Sequence, residues 1–423
     1  MKTDDILQLQ EPLTDGGIRA VNFFNGRLLT GKDFSREQDA RREADSRLGL
    51  ALGEGIAFGL EVEHDNQLSQ SHLPVVNIKA GLAFNREGQA LRLKNPVHVA
   101  LARSFEVGSV DCLFKNCTVL GGGTYVAGAG VYVLTIAPAA SSEGRAASNG
   151  LDPGNVRCNT DTTVEAVQFR LLQVKPAWYA DLNVAAPSFR NQLAYRCFGA
   201  GIHADWFENL LGAAPRQDDL LETLRKNLLS PLEVPLGLLF FTGAADLKFI
   251  DMWAVRRPLN DFDSDPLMSL VGSRRLAIGQ AMFMQFQQQI AVLLDQNADP
   301  ESIIAADYFR FLPPVGIIPL SGNNFPKGFH QDLFFDGIVH HPIVYIEAAR
   351  AEALMRHALH YPPIDIKSRV MVRIYRVREN AQTITNASQT GTLRPYVIFS
   401  SGHMAYMGDP HFDVNRWDFS NWA

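Results

Sequence analysis

Residues 22–43, NFFNGRLLTGKDFSREQDARRE, join an aromatic, apolar turn to a densely charged run, and two independent signals agree on where that run becomes a helix. With Thr30 as N-cap, Asp33 falls at N3 as a variant capping box, while Leu29 at N′ and Phe34 at N4 take the positions of a hydrophobic staple. The helix continues to Gly49 or Gly53, either of which can follow its C-cap. Along it Ala40, Ala44, Leu48 and Ala51 form a narrow stripe of mostly small residues, and Glu37 with Arg41 and Glu43 with Arg47 are favourably ordered i,i+4 pairs. So thin a stripe buries little area. A helix on the order of 30 Å long with so little apolar face belongs across a surface or between subunits, and the fold must leave it outside the core.

The β patterns follow at once. The run GIAFGLEVE leads into PVVNIKAGLAFNREGQALRLKNPVHVAL, where two extended runs flank Asn85-Arg86-Glu87-Gly88, a turn with glycine in its last position. GVYVLTIAP and TVEAVQFRLLQV read as strands, the second alternating Val167, Phe169 and Leu171 against Gln168 and Arg170. Between them, residues 139–160 are rich in Ala, Gly, Ser and Asn and are predicted to be a long exposed loop. From Ser188, a good N-cap, helix is predicted through FRNQLAYRCFG, around ADWFENLL and over QDDLLETLRKNLL.

Two apolar runs around Thr242–Asp246 predict a second hairpin. A long helix is predicted from near Pro266, with Leu267, Leu270, Arg274, Ile278, Met282 and Phe286 on one face and a Gln-rich flank turned to solvent or a partner. FLPPVGIIPLSGNNFPKGF, full of prolines and glycines, is expected to be largely irregular. IEAARAEALMRHALHY is a further helix ended by Pro362-Pro363, and SRVMVRIYRVREN is a strand with Val370, Val372 and Ile374 on one face. No repeat of fixed period is visible, which argues against solenoids and propellers.

At 423 residues the chain is about two to three domain lengths, and 46% hydrophobic with 20% charged residues is ordinary globular composition. The expected fold class is α+β, with β-hairpin and sheet units interleaved with helices and no recognised superfold. The expected division is an N-terminal segment 1–58 carrying the charged helix, a β-rich domain 59–185, and a mixed α/β domain 186–423 with an aromatic C-terminal tail. A net charge of -6 with scattered Lys and Arg gives no field for nucleic acid. The N-terminus has acidic residues where a signal peptide carries positive ones, and no run reaches the length of a membrane span, so the expectation is a soluble chain made in the cytosol, with no membrane insertion.

No chemistry is signalled. The four cysteines, Cys112, Cys117, Cys158 and Cys197, fit neither a zinc knuckle, a redox pair nor a disulfide framework, and read as buried thiols. His357 and His360 lack the pattern of a zinc helix, and adjacent His340 and His341 on a strand point to opposite faces. His203-Ala204-Asp205 pairs a histidine with a carboxylate without a metal-site pattern, while the stretch from His403 through Asp409 to His411 is the least implausible metal alternative, which would make a metal-dependent hydrolase. The glycines at 121–123 and 128–130 fit no phosphate loop, and no GxSxG or triad order is present. No catalytic residue, cofactor site or metal site is assigned. Trp417, Phe419 and Trp422 crowd the C-terminus, as in tails that dock on their own domain or on a neighbouring subunit.

The opening stretch bears one comparison. Phe23-Phe24-Asn25-Gly26-Arg27-Leu28-Leu29-Thr30, then Asp33-Phe34 and Glu37-Gln38, resembles the pattern [Y/F]F-x-G-[K/R]-x-L-x-x-x-D-F-x-x-EQ. The following GIAFGLEV and IKAGLAFNREGQALRL fit the same layout, with KAG where the pattern more often has Pro-Gly. That layout is similar to proteins encoded beside baseplate components in phage-tail-like contractile injection systems, over about the first 95 residues. The resemblance implies no enzyme activity. It implies an assembly subunit of the baseplate, spike surroundings or fibres, made in the cytoplasm and contacting other subunits of the particle and further copies of itself. The candidate contact residues are Phe23, Phe24, Arg27, Leu29, Phe34, Ala40, Ala44, Leu48, Trp417, Phe419 and Trp422. A glycan-binding, fibre-like module using exposed aromatics is the alternative.

Overall fold

The computed structural model describes residues 14–69, 74–105, 123–126, 128–146, 159–199, 219–243, 246–259, 273–321, 327–368, 370–378 and 395–401. The fold is a mixed α+β architecture. Helix α1, Gly31–Leu52, begins at the predicted Thr30 cap and ends at Gly53. Six short strands follow: β1 (Gly55–Gly59), β2 (Val62–His64), β3 (Val75–Ile78), β4 (Gly81–Phe84), β5 (Ala90–Leu93) and β6 (Val97–Ala100). They form two antiparallel three-stranded sheets, ordered β1-β4-β5 and β2-β3-β6. The predicted hairpin is the β4–β5 pair, closed by Asn85, whose side-chain oxygen accepts from the amides of Glu87 and Gln89.

Strands β7 (Ala102–Phe105) and β8 (Gly123–Val126) pair with each other. Next come β9 (Gly130–Ala146) and β10 (Asn159–Gln173), the longest ladder in the described residues, in unbroken register from Gln173 opposite Tyr132 to Asn159 opposite Ala146. This corrects the expected loop at 139–160: residues 139–146 and 159–160 are strand, and 147–158 lie outside the described residues. Alanine and serine are weak strand formers, but the ladder extends them because both backbones find partners there. After helices α2 (Phe189–Cys197) and α3 (Leu220–Asn227), strands β11 (Val234–Gly243) and β12 (Asp246–Asp251) complete a sheet ordered β10-β9-β11-β12. β11 accompanies β9 only as far as Ile136, so from Ala137 onward β9 and β10 continue as a two-stranded ribbon roughly 30 Å long.

Residues 200–218, including the helix expected around ADWFENLL, lie outside the described residues, as do 260–272. The long helix α4 runs Ser273–Gln296 and buries Met282, Phe286, Ile290 and Leu293. Beyond it lie the short α5 (Ala305–Tyr308), β13 (Phe311–Leu312), β14 (Val315–Pro319), α6 (Gln331–Phe334), β15 (Val344–Glu347), α7 (Ala348–Ala358), β16 (Ile364–Asp365), β17 (Val372–Arg378) and β18 (Tyr396–Ser401). The last sheet is ordered β14-β18-β17-β15, with β15 parallel to β17. The Pro/Gly-rich stretch expected to be irregular therefore supplies two strands. Its prolines are tolerated because β14 is an edge strand and Pro319 is its final residue.

Four apolar clusters form the core. The face of β17 predicted from Val370, Val372 and Ile374 packs with Phe286, Phe309 and Phe399 in one of them, and the Val167, Phe169, Leu171 alternation packs against another. The Gln-rich flank of α4 corrects a second expectation, because Gln285 and Gln289 are buried. Their compensation comes from afar: Gln285 Nε2 donates to Asp251 Oδ2 at 2.9 Å and to Gln289 Oε1 at 3.1 Å. The same Asp251 carboxylate accepts from Arg190 Nε at 2.9 Å and from the Ala254 amide at 3.0 Å, so one buried charge ties α2, β12 and α4 together. Removing it strands the Arg190 guanidinium in the core. Asp251→Ala is expected to cost about 3–5 kcal/mol, read from the midpoint of urea unfolding, whereas Glu352→Ala on the surface should leave the midpoint nearly unchanged.

Candidate assembly surface

Helix α1 and the arm before it rest on the body at few points. At the C-terminal end the backbone of the β4–β5 turn comes so close that a Cβ on Gly49 would lie 1.9 Å from the carbonyl oxygen of Gly88. Gly88 itself has φ +76, and a Cβ there would lie 2.0 Å from the oxygen of Ser46. The two glycines let helix and turn meet backbone to backbone. Farther along, Arg42 reaches Glu165 on β10 at 3.7 Å. On another side the arm crosses the helix, where buried Val21 donates its amide to Glu37 Oε2 at 3.4 Å and Arg47 donates to the Gly16 carbonyl at 2.6 Å.

The helix start is secured electrostatically. The Asp33 carboxylate accepts from the Thr30 amide at 2.9 Å and from the Thr30 hydroxyl at 2.7 Å, and it forms an ion pair with Arg27. Arg27 in turn donates to the Asn22 carbonyl at 2.7 Å and lies 6.0 Å from the centre of the Phe24 ring. The Thr30 hydrogen bonds, then the Arg27 guanidinium, hold the Asp33 carboxyl at about 2, well below its ordinary value of 3.8. A depressed carboxylate stabilises the fold above its ordinary value and loses that contribution as the pH falls toward its folded value.

Of the predicted contact residues, Phe23 and Phe24 are exposed, Arg27 is half-buried by its ion pair, and Leu29 and Phe34 are 41% and 56% exposed. The expected staple is therefore not a shielded contact: the Asp33 hydrogen bonds fix the helix start and leave both side chains in solvent. Ala40 is buried, whereas Ala44 and Leu48 are exposed. The sequence reading missed Leu28, Leu50, Leu52 and Phe58, which extend the exposed apolar surface at both ends of α1. A glycine at position 49, inside a helical run, was the one local hint that this helix presses against another backbone. Trp417, Phe419 and Trp422 lie outside the described residues, as do Cys112, Cys117, Cys158, His203, Asp205, His403, Asp409 and His411.

Cys197 is buried, and burial pushes its thiol pKa up. His357 and His360 are exposed on and just beyond α7, and His340 Nδ1 lies 2.9 Å from the carbonyl of His341. Among the described residues no group of three or more His, Cys, Asp or Glu side chains could hold a metal ion, and no helix is long and apolar enough to cross a membrane.

No family model matches the chain, and a comparison with curated proteins finds no match. Among solved structures it is similar to one titled "Crystal structure of TssK", at 12% identity and a TM-score of 0.26, over 82% of this chain and 60% of that one. It is also similar to "Structure of the type VI secretion system TssK-TssF-TssG baseplate subcomplex revealed by cryo-electron microscopy", at 13% identity and a TM-score of 0.23, over 67% and 73% of the two chains. The chain thus spans 60% of the length of the first of these. TM-scores this low carry no argument about fold or function.

Two measurements check this geometry. Gly49→Ala is expected to lower the thermal midpoint by the equivalent of about 1–3 kcal/mol, opposite in sign to the gain of roughly 1 kcal/mol usual at an exposed helix interior. In an NMR titration the Asp33 carboxyl is expected to titrate near 2, and Arg27→Ala should move that midpoint upward.

Proposed function

We propose that this protein is a non-enzymatic assembly subunit of a contractile, phage-tail-like injection particle, a component of its baseplate, spike surroundings or fibres. In this reading residues 22–53 make intersubunit contacts and the chain self-associates. The observation that carries it is the exposure of the arm and α1. Phe23 at 54% and Phe24 at 62% stand exposed with Leu28, Leu29 and Phe34 around the helix start, and Leu48, Leu50, Leu52 and Phe58 stand exposed around its end. Large apolar side chains left in solvent along one short segment are a mark of protein contact. A helix held by a few polar contacts and one backbone crossing also gains little from its own body, since most helical stability comes from packing an apolar face.

The resemblance of residues 22–95 to proteins encoded beside baseplate components supplies the kind of partner. The division into an N-terminal contact segment 1–58, a β-rich unit 59–185 and a mixed α/β unit 186–423 belongs to the same proposal, with the N-terminal segment presenting the contact.

The test is co-purification. Tagged protein expressed with its neighbouring genes should bring down sheath, tube or baseplate proteins, and alone it should run larger than 46.8 kDa. The double substitution Leu29→Asp, Phe34→Asp should abolish capture while leaving the circular dichroism spectrum unchanged, because both side chains are exposed. Undiminished capture by that variant would reduce the segment to ordinary scaffold.

A further inference from the structure

Two sides of α1 are occupied. The β4–β5 turn meets the helix backbone at Ser46 and Gly49, and the arm crosses the side of Glu37 and Arg47. At 3.6 residues per turn the face left between them carries Phe34, Gln38, Arg41, Asp45, Leu48 and Leu52, each of them exposed. Their spacing alternates four and three residues from end to end, the heptad spacing by which one helix packs along another. The seam is apolar at both ends and charged in the middle, with Arg41 and Asp45 flanking the midpoint.

That order is self-complementary in one direction only. Laid antiparallel about a two-fold axis at the helix centre, a second copy places Leu52 opposite Phe34, Leu48 opposite Gln38, and Asp45 opposite Arg41, with the same contacts repeated across the axis. Both apolar ends meet apolar or uncharged side chains, and both central charges meet their opposites. In a parallel pair Arg41 would face Arg41 and Asp45 would face Asp45. Within its own chain Arg41 has only a loose, exposed ion pair with Glu37 at 3.7 Å, and among the described residues Asp45 has no ion pair. The helix as a whole carries Lys32, Arg36, Arg41, Arg42 and Arg47 against Asp33, Glu37, Asp39, Glu43 and Asp45, a balance that suits another mixed-charge helix and disfavours a surface of one sign.

We propose that two copies of this chain pair through α1 as an antiparallel, two-fold helix pair whose register is set by reciprocal Arg41–Asp45 ion pairs. The pairing rests on the reading of residues 22–53 as a contact segment and specifies its occupant and geometry. The central charges select the orientation, while the apolar ends supply the buried area.

Charge exchange tests it on the full-length chain by sedimentation equilibrium. Arg41→Glu alone and Asp45→Arg alone each place like charges together twice per pair, and each is expected to weaken self-association at least about tenfold. Mixing the two single variants should restore association as a heterodimer, and the double variant Arg41→Glu, Asp45→Arg should restore it as a homodimer. Both sites are exposed, so circular dichroism and thermal midpoints should stay near those of the parent chain.

If the single variants associate as tightly as the parent, self-association uses another surface and the helix pair is overturned, with the assembly reading intact. If they are weakened but neither mixture nor double variant recovers, the antiparallel register is overturned. A parent chain that is monomeric at all concentrations overturns the pairing outright, and capture of particle proteins still decides the assembly reading separately.

Discussion

The buried carboxylate of Asp251 is the interaction on which the largest part of the structure depends. It accepts from a guanidinium on α2, an amide side chain on α4 and a backbone amide in the turn after β12, so elements distant in sequence share a single anion. A charge taken out of water is tolerable only when hydrogen bonds saturate it, and that requirement fixes the relative position of its neighbours more narrowly than apolar packing can. The turn that follows continues the effect. Arg256 donates to the carbonyls of Gly59 and Leu60, and Arg257 offers its own carbonyl to the Ile56 amide, which stitches the end of this region to β1. Burial pushes the Arg256 pKa down, against a counteracting effect of Glu61. Its contacts with two carbonyls spread the charge over fixed dipoles.

Helix α1 is governed by the opposite logic. It is held by the half-buried Asp33 carboxylate at its start, a glycine-to-glycine crossing near its end and a few ion pairs between, and it buries little of its own surface. The contrast between a body locked by buried polar groups and a helix locked by its ends explains how the chain presents a long, rigid, largely uncovered element without spending core residues on it.

What the sequence made legible was local. The Thr30 start could be read because its determinants lie within four residues, and the hairpins at Asn85–Gly88 and Thr242–Asp246 because a turn and the two extended or apolar runs beside it are contiguous. Gln285 and Gln289 misled because their burial depends on Asp251 and on the Tyr308 carbonyl, neither near them in the chain. Pro319 misled because edge position in a sheet is a tertiary property. The candidate surface was legible in part: exposed apolar residues at 23, 24, 29, 34 and 48 stand out beside charges, whereas Leu50, Leu52 and Phe58 look like core residues until the fold leaves them uncovered.

The ribbon formed by β9 and β10 beyond Ile136 bears on how such a chain can exist at high local concentration. Among the described residues neither strand there has a second neighbour, so both edges offer backbone groups to a passing strand. Pro138 contributes no donor, Gly144 breaks the strand's extended geometry at φ +73, and Glu143 on one strand with Asp161 and Glu165 on the other place exposed charges along the ribbon. These residues make the projection poor in propagating sheet from one molecule to the next. Growth by strand addition has no natural stopping point, and a ribbon blunted in this way closes that route to open-ended sheet.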